Sequence, residues 1–373
     1  MAGIYLHIPY CKQKCHYCDF HFSTLLDNRK EMLRALLSEI DQRQDFLEKE
    51  VINTIYFGGG TPSLFTVAEL DDLIGMIRRL YTVSDQAEIT MEANPDDLSY
   101  DKLKALSGLG INRLSVGVQS FDDEVLKWMN RAHTAKQVYE SLDAVRKAGI
   151  ENVTLDLIYG IPETDLTYWE QQLEELIRND FPHLSAYCLT IEPKTAFGTW
   201  LKQGKMIQLA DEKALEQFRF LTEFMPSHGF EQYEISNFAK AGFISRHNSA
   251  YWLGEKYLGI GPSAHSFNGV ARAWNVANNS NYIRQVLSKE EYSSSELLST
   301  EDRFNEYILT RLRTKWGIYR KDMNHISKTL HEQIKPDIER HLKLGNIRQN
   351  GEGYYLTGQG KFIADAISSD LFV

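Results

Sequence analysis

Three of the four cysteines in this chain, Cys11, Cys15 and Cys18, lie within the stretch YLHIPYCKQKCHYCDF. Structural zinc would need a fourth ligand, which His7, His16 or His21 could supply. Covalent haem attachment normally has two residues between its cysteines rather than the three found here. A [4Fe-4S] cluster is the third interpretation, because three thiolates leave one iron with an open coordination position.

Further residues suited to ligand binding follow apolar runs later in the chain. GGGTPS occupies residues 58–63, and glycines allow a backbone to approach a ligand closely. Glu92 in MEANP and Asp156 in LDLIYGIP could accept hydrogen bonds from an ammonium group or from ribose hydroxyls. A single acid at such a position can equally be a helix N-cap or a solvated charge. Two acids together at the ends of predicted strands therefore favour a ligand site.

The elements that would position these residues alternate regularly. Apolar runs at 4–8, 53–57, 88–92, 113–118, 152–158 and 183–189 predict six strands, and stretches with helical spacing lie between them. This alternation predicts an α/β fold with parallel strands and right-handed crossovers. Six units are too few for a closed eight-unit barrel. We therefore expect a partial (β/α)6 TIM-like barrel over residues 1–240, with its chemistry at the carboxyl ends of the strands.

The regular alternation stops near residue 240. We expect residues 241–300, which include RHNSAYW and LGIGPSAHSF, to form loops and short strands that cap the site. Residues 301–373 predict a winged-helix-like domain with a strand pair turning at Asn350-Gly351. This region has 12 Lys or Arg against 10 Asp or Glu, which is too little positive charge to favour DNA binding.

Composition restricts the classes of protein further. The net charge of −10 argues against a nucleic-acid partner, and the 43% hydrophobic content without low-complexity tracts predicts a folded chain. No secretory signal or transmembrane run is evident, so we expect a cytoplasmic protein. Reduced, clustered cysteines in that compartment indicate metal binding rather than disulfides. Cys188, in the sixth predicted strand, is expected to be buried as a small hydrophobe without a ligand role.

The C-x3-C-x2-C spacing after the first strand of such a fold resembles the radical S-adenosylmethionine (SAM) superfamily. In that family SAM chelates the open iron and is cleaved to a 5′-deoxyadenosyl radical. YLHIPYC, GGGTPS, MEANP, GVQSF, Asn130-Arg131 and LDLIYGIP together resemble the oxygen-independent coproporphyrinogen III oxidase group over nearly the whole chain. The resemblance implies SAM contacts from Tyr5, Tyr17, Gly59, Gly60, Thr61, Glu92, Gln119, Arg131, Asp156 and Thr190.

Two features differ from the oxidases of that group. Phe20 stands where the oxidases have a further cysteine, and the first strand begins at about Ile4 without their N-terminal extension. Both features resemble instead a haem-chaperone branch, which also has the segment H-N-x-x-Y-W, here beginning at His247. That likeness implies haem as cargo, with His247 as its ligand and His265 as the competing candidate. Oxidative decarboxylation of coproporphyrinogen III remains the alternative function.

The resemblance also implies partners. These are acceptor haemoproteins and an electron donor such as flavodoxin or ferredoxin, and peripheral contact with a membrane is left open.

Overall fold

The computed structural model describes residues 2–373. The first predicted domain begins at residue 1, which lies outside the described residues. All six predicted strands are present, and most of their residues are buried. They are β1 (Ala2–Ile8), β2 (Ile52–Gly59), β3 (Val83–Ala93), β4 (Arg113–Gln119), β5 (Val153–Tyr159) and β6 (His183–Cys188). They pair in parallel in the order in which they occur in the chain. The predicted α/β class with a parallel sheet is therefore confirmed.

Helices connect these strands. They are α1 (Arg29–Gln42), α2 (Val67–Leu80), α3 (Tyr100–Gly108), α4 (Asp123–Trp128), α5 (Ala135–Lys147) and α6 (Leu166–Arg178). The start of α2 shows how the sequence defines such a helix. Thr66 and Glu69 form a capping box that satisfies two amide donors. Leu70, Leu73 and Ile77 recur at helical spacing and are buried against the sheet.

The sheet does not stop at six strands. Later segments extend it to twelve strands at both edges: β7 (Glu231–Gln232) and β8 (Asn237–Ala239) beyond β6, and β9 (Lys256–Ile260), β10 (His265–Phe267), β11 (Ala271–Asn275) and β12 (Ser293–Leu297) beyond β1. Strand β9 pairs with β1 in parallel, whereas β10, β11 and β12 follow as antiparallel strands. The N-terminal strand is therefore internal to the sheet.

Further helices follow β6: α7 (Ala196–Lys202), α8 (Asp211–Ser227), α9 (Arg246–Trp252) and α10 (Asn279–Leu287). Helix α9 corrects one expectation, because RHNSAYW was predicted as loop or strand. Ser245 caps this helix by accepting a hydrogen bond from Asn248 N–H. The carboxylate of Glu88, on β3, accepts the amide hydrogens of Arg246 and His247. A negative charge from a distant strand thus satisfies the helix N-terminus, which no local pattern reveals.

The C-terminal region has its own small core. It contains α11 (Thr300–Leu312), β13 (Ile318–Tyr319), α12 (Arg320–Lys343, kinked at Ser327), β14 (Ile347–Asn350), β15 (Gly353–Leu356), α13 (Gly358–Phe362) and α14 (Ala364–Asp370). The expected hairpin is present, with Gly351-Glu352 between its strands. The winged-helix assignment and the domain boundaries remain predictions.

Candidate functional site

The three cysteines lie on the loop that follows β1, residues 11–18, which we call the cluster loop. Cys11, Cys15 and Cys18 are half-buried and line one cavity of about 420 Å³. Neighbouring segments hold the loop: Cys11 N–H donates to the carbonyl of Ser23 at 3.0 Å, and His16 N–H donates to that of Met129 at 3.0 Å. Burial raises the pKa of the Cys11 thiol to about 11, so it is protonated until a metal displaces the proton.

The structure favours a cluster over zinc at this loop. His7 and His16 each hydrogen-bond a backbone carbonyl, and His21 bonds Asn279. Across residues 2–373, no three His, Cys, Asp or Glu side chains are grouped to hold a single metal ion. A single zinc ion needs four convergent ligands, whereas each cluster thiolate binds a different iron. The residues present therefore fit a [4Fe-4S] cluster better than they fit zinc.

Arg131 places a buried positive charge beside the thiols. Its Nη1 donates to Cys15 Sγ at 3.2 Å and to the Tyr17 hydroxyl at 3.3 Å, and Nη2 donates to Asn94 Oδ1 at 2.6 Å. Burial alone would lower the pKa of Arg131, but Tyr17 and Cys15 raise it above its ordinary value. Its buried Nε has no partner within the described chain. An anionic group of a bound ligand would satisfy that donor.

Glu92 and Asp156 contribute two carboxylates to the same cavity. Burial raises the pKa of Glu92 to about 7 and that of Asp156 to about 6. Hydrogen bonds oppose this shift, since Glu92 accepts from the Tyr56 hydroxyl at 2.8 Å and Asp156 accepts from the Ser115 hydroxyl at 3.0 Å. Ligand hydroxyls or an ammonium group would stabilise the ionised carboxylates further.

The glycines of GGGTPS line the cavity, but protein contacts also require them. Gly59 has φ +104°, and an added Cβ would lie 2.6 Å from the His7 ring. A Cβ on Gly60 would lie 2.5 Å from the carbonyl oxygen of Tyr10. These glycines therefore allow the turn after β2 to pack against β1, in addition to the close ligand approach expected from the sequence.

Most of the predicted SAM-contact residues come together. Nine of them line the cavity with the three cysteines: Tyr17, Gly59, Gly60, Thr61, Glu92, Gln119, Arg131, Asp156 and Thr190. Gln119 has φ +67°, at an irregularity in the pairing of β4 with β5. Tyr5 instead lines an adjacent cavity of about 450 Å³, with Phe20 and His265.

His247 lies away from the cysteine cavity. Its ring is 2% exposed and stacks on Tyr56 with centroids 4.9 Å apart. Both ring nitrogens are engaged, Nδ1 with the Thr54 hydroxyl at 2.7 Å and Nε2 with the Tyr251 hydroxyl at 2.9 Å. Burial lowers the pKa of His247 to about 3, so the ring is neutral. Iron could reach a nitrogen only after one of these bonds breaks.

Cys188 corrects a second expectation. It is exposed rather than buried, and it lines the cavity that contains the cluster cysteines. Its position at the carboxyl end of β6 explains this, because all six parallel strands end at the same edge of the sheet. Asn94 and Tyr187 also line this cavity, although neither was predicted as a site residue. Asn94 could have been found, since it belongs to the same MEANP motif as Glu92.

The fold and this cavity define the class of protein. The family model for the radical SAM superfamily matches residues 5–176. The structure of coproporphyrinogen III oxidase (HemN) from Escherichia coli, a radical SAM enzyme, superposes with a TM-score of 0.85 at 22% identity, covering 100% of this chain and 90% of that chain. Residues 5–176 therefore match the radical SAM superfamily, which implies a [4Fe-4S] cluster and SAM, and the overall fold is that of the HemN structure.

Full-length relatives identify the branch. The chain is 36% identical to heme chaperone HemW of Bacillus subtilis, over 98% of both chains. It is 30% identical to heme chaperone HemW of Escherichia coli, over 98% of this chain and 96% of that one. The chain therefore belongs to the HemW family. Among residues 2–373, no helix combines the length and the apolar composition that crossing a bilayer requires.

Proposed function

We propose that the protein binds haem and passes it to acceptor haemoproteins, and that it holds a [4Fe-4S] cluster and SAM in the cysteine cavity. The observation that carries this proposal is the match over 98% of the chain to proteins named heme chaperone HemW. When bound, the cluster and SAM supply one-electron chemistry. Cys11, Cys15 and Cys18 would hold the cluster, with Arg131, Glu92 and Asp156 among the groups that hold SAM.

A third cavity supports haem binding. It has a volume of about 800 Å³ and lies between α9, the added strands and α11. Aromatic rings line it, including those of Tyr251, Trp252 and Tyr307, together with several arginines. Arg313 lies over the Trp252 ring at 4.6 Å, and Trp252 Nε1 is buried without a partner within the described chain. Arg272 and Arg313 are already ion-paired with Glu306 and Glu234, which leaves Arg303 and Arg311 to pair with propionates. Because the rings can also stack on a macrocycle, this cavity suits haem.

The iron ligand is a separate question. His265 is exposed, and its ring has no hydrogen-bond partner among residues 2–373. It lies 6.5 Å from the Trp274 ring, measured between centroids, and lines the 450 Å³ cavity that contains Phe20. That cavity shares Tyr251 and Tyr257 with the 800 Å³ cavity, so His265 would ligate iron from the neighbouring side of these rings. His247 would have to release Thr54 or Tyr251 first. We therefore propose His265 as the first candidate for ligation and His247 as the comparison.

Phe20 supports carriage of haem rather than oxidation of a porphyrinogen. Its side chain is 75% exposed and lines both the cysteine cavity and the adjacent cavity. The oxidases have a cysteine at this position, according to the resemblance described above. A decarboxylase must also hold its substrate carbon close to the reacting radical, since small misplacements are costly in rate. A carrier needs only an accessible binding surface.

The test is anaerobic reconstitution followed by parallel assays. Titration with haem should give a Soret band, and reaction with coproporphyrinogen III, SAM and a reductant should give no protoporphyrinogen. His265→Gln should shift or weaken the Soret band more than His247→Gln, while the absorbance of the cluster stays unchanged in both variants. Robust protoporphyrinogen formation would replace this proposal with the oxidase function. The reverse order of the two histidine variants would assign the ligand to His247.

A further inference from the structure

The spacer between the first two cysteines of the cluster loop, residues 12–14, is held from two sides. On one side, Lys12 Nζ donates to Asp96 Oδ2 at 2.6 Å and also pairs with Asp97. Both acids lie in the turn that follows β3, and the Ser63 hydroxyl donates to Asp97 Oδ2 at 2.7 Å. The Lys12 side chain is 37% exposed, so salt screens these ion pairs and they hold the spacer only weakly.

On the other side, Asn130 holds the spacer with both ends of its side-chain amide. Its Oδ1 accepts from Gln13 Nε2 at 2.8 Å, and its Nδ2 donates to the Lys14 carbonyl at 2.8 Å. Gln13 Nε2 also donates to the Asn130 carbonyl at 2.9 Å. Neutral amide groups make all three hydrogen bonds, so salt does not screen them as it screens the ion pairs of Lys12. The protein's own groups therefore fix the spacer, with Asn130 as the main support.

The residues just before Asn130 continue the same contact along the loop. The Met129 carbonyl accepts from His16 N–H at 3.0 Å, and the Trp128 carbonyl accepts from His16 Nδ1 at 2.8 Å. The residues on both sides of Cys15 are therefore anchored to one short segment at the end of α4. The position of Cys15 relative to the other two cysteines depends on that segment.

We propose that Asn130 is a positioning residue for the metal centre, which sets the cluster loop in the shape that lets three thiolates reach one cluster. Each thiolate must bind a different iron of the same cluster, so the relative positions of the cysteines decide how firmly the cluster is held. Groups that orient metal ligands without touching the metal commonly change metal affinity by tenfold or more. The inference rests on the [4Fe-4S] cluster of the proposed function, but it needs neither haem nor SAM.

Backbone conformation is the other reason for an asparagine at this position. Asn130 has φ +56°, in the left-handed region that asparagine and glycine adopt most readily. Glycine would suit this backbone equally well but could make neither side-chain amide contact. Asn130→Gly therefore separates the two roles. The variant should keep the cluster as firmly as the wild type if only the backbone matters, and should hold it less firmly if the amide positions the loop.

The experiment compares anaerobically reconstituted, SAM-free proteins. Release of iron to excess EDTA, followed by the loss of cluster absorbance, should be about tenfold faster in Asn130→Gly than in the wild type. The EPR signal of the dithionite-reduced cluster should broaden, because a looser loop holds the cluster in several geometries. Lys289→Gly is the matched control, since it also places glycine at an exposed left-handed position, with φ +55° after α10. The control should release iron at the wild-type rate.

A second variant, Gln13→Ala, removes the same contact from the loop side and leaves the backbone of residue 130 unchanged. It should also speed the release of iron. The double variant should release iron more slowly than the product of the two single effects predicts, because the Gln13 and Asn130 side chains share a hydrogen bond.

The outcomes that overturn the inference are specific. They are a wild-type rate of iron release with an unchanged EPR signal in Asn130→Gly, or an equal acceleration in Lys289→Gly. If denaturant unfolding shows that Asn130→Gly does not fold, Gln13→Ala decides alone, and a wild-type rate of release in that variant would refute the role of Asn130. Failure of the wild type itself to bind about four irons per chain would instead count against the proposed function.

Discussion

Glu92 gives the sharpest test of the electrostatics of the site. Its pKa of about 7 lies well above the ordinary value of 4.5 because it is buried. Between these two values the unfolded chain ionises Glu92 while the folded protein keeps it protonated. The stabilising contribution of Glu92 is therefore fully present below about pH 4.5 and is lost as the pH rises through 7.

The size of this loss of stability follows from the shift in the pKa of Glu92. Because Glu92 has different pKa values in the folded and unfolded states, raising the pH from 5 to 8 lowers the free energy of unfolding by about 2.5 kcal/mol. Solvent in the cavity screens part of this, so we expect about 1–2 kcal/mol. Glu92→Gln mimics the protonated acid and should remove this dependence. The measured quantity is the difference between wild type and variant, because buried histidines such as His7 and His247 contribute in the opposite direction.

The assay is denaturant unfolding of the SAM-free protein at several pH values from 5 to 8. Glu48→Gln is the control, since Glu48 is exposed and pairs with Lys256. The difference between wild type and Glu92→Gln should grow with pH, in favour of the variant. A difference that stays constant across the interval would refute the assignment of a raised pKa to Glu92.

Three other predictions follow from the same contacts. Cys15→Ala should abolish iron binding after anaerobic reconstitution, whereas Cys188→Ala should retain about four irons per chain; stoichiometric zinc in freshly prepared anaerobic protein would contradict the cluster. Arg131→Ala should weaken the change that SAM causes in the EPR signal of the reduced cluster, because Arg131 offers an unpaired donor to an anionic group; an unchanged response would remove Arg131 from the SAM site. Ser245→Ala should cost about 1 kcal/mol of unfolding free energy, measured by denaturant titration, because it removes the cap of α9; no loss would show that Glu88 alone sustains that terminus.

Much of the fold could be predicted because its signal is local. Each of the six parallel strands contains a short apolar run that is mostly buried, and each run coincides with all or part of a strand in the structure. The cavity followed from the same logic, since the carboxyl-terminal parts of parallel strands face one edge of the sheet, where Glu92 near the end of β3 and Asp156 within β5 both lie. This brought Glu92 and Asp156 together with the cluster loop.

The predictions that failed concern features that depend on contacts between residues far apart in sequence. The cap of α9 needs Glu88, which is 158 residues away from Arg246 in sequence. The neutral His247 ring is hydrogen-bonded at both nitrogens, and one of these bonds needs Thr54, which is 193 residues away in sequence. The sequence pattern around His247 suggested an accessible ligand because neither contact leaves a trace in neighbouring residues. Cys188 was misjudged for a related reason, since the last residue of a strand can leave the core even when the strand is buried.

The pairing of β9 with β1 has a consequence for biosynthesis. Strand β2 emerges from the ribosome soon after β1, but β9 follows about 200 residues later, which is on the order of 10–40 s of synthesis. During that interval one edge of β1 has no neighbour, and Glu39 lacks Gly261, Asn275 and Tyr282, which donate hydrogen bonds to it in the finished protein. The cysteines are thus translated early, but the scaffold beneath them closes late. We expect nascent chains that end before residue 256 to be prone to aggregation and to hold iron poorly, so loading of the metal centre belongs after the synthesis of β9.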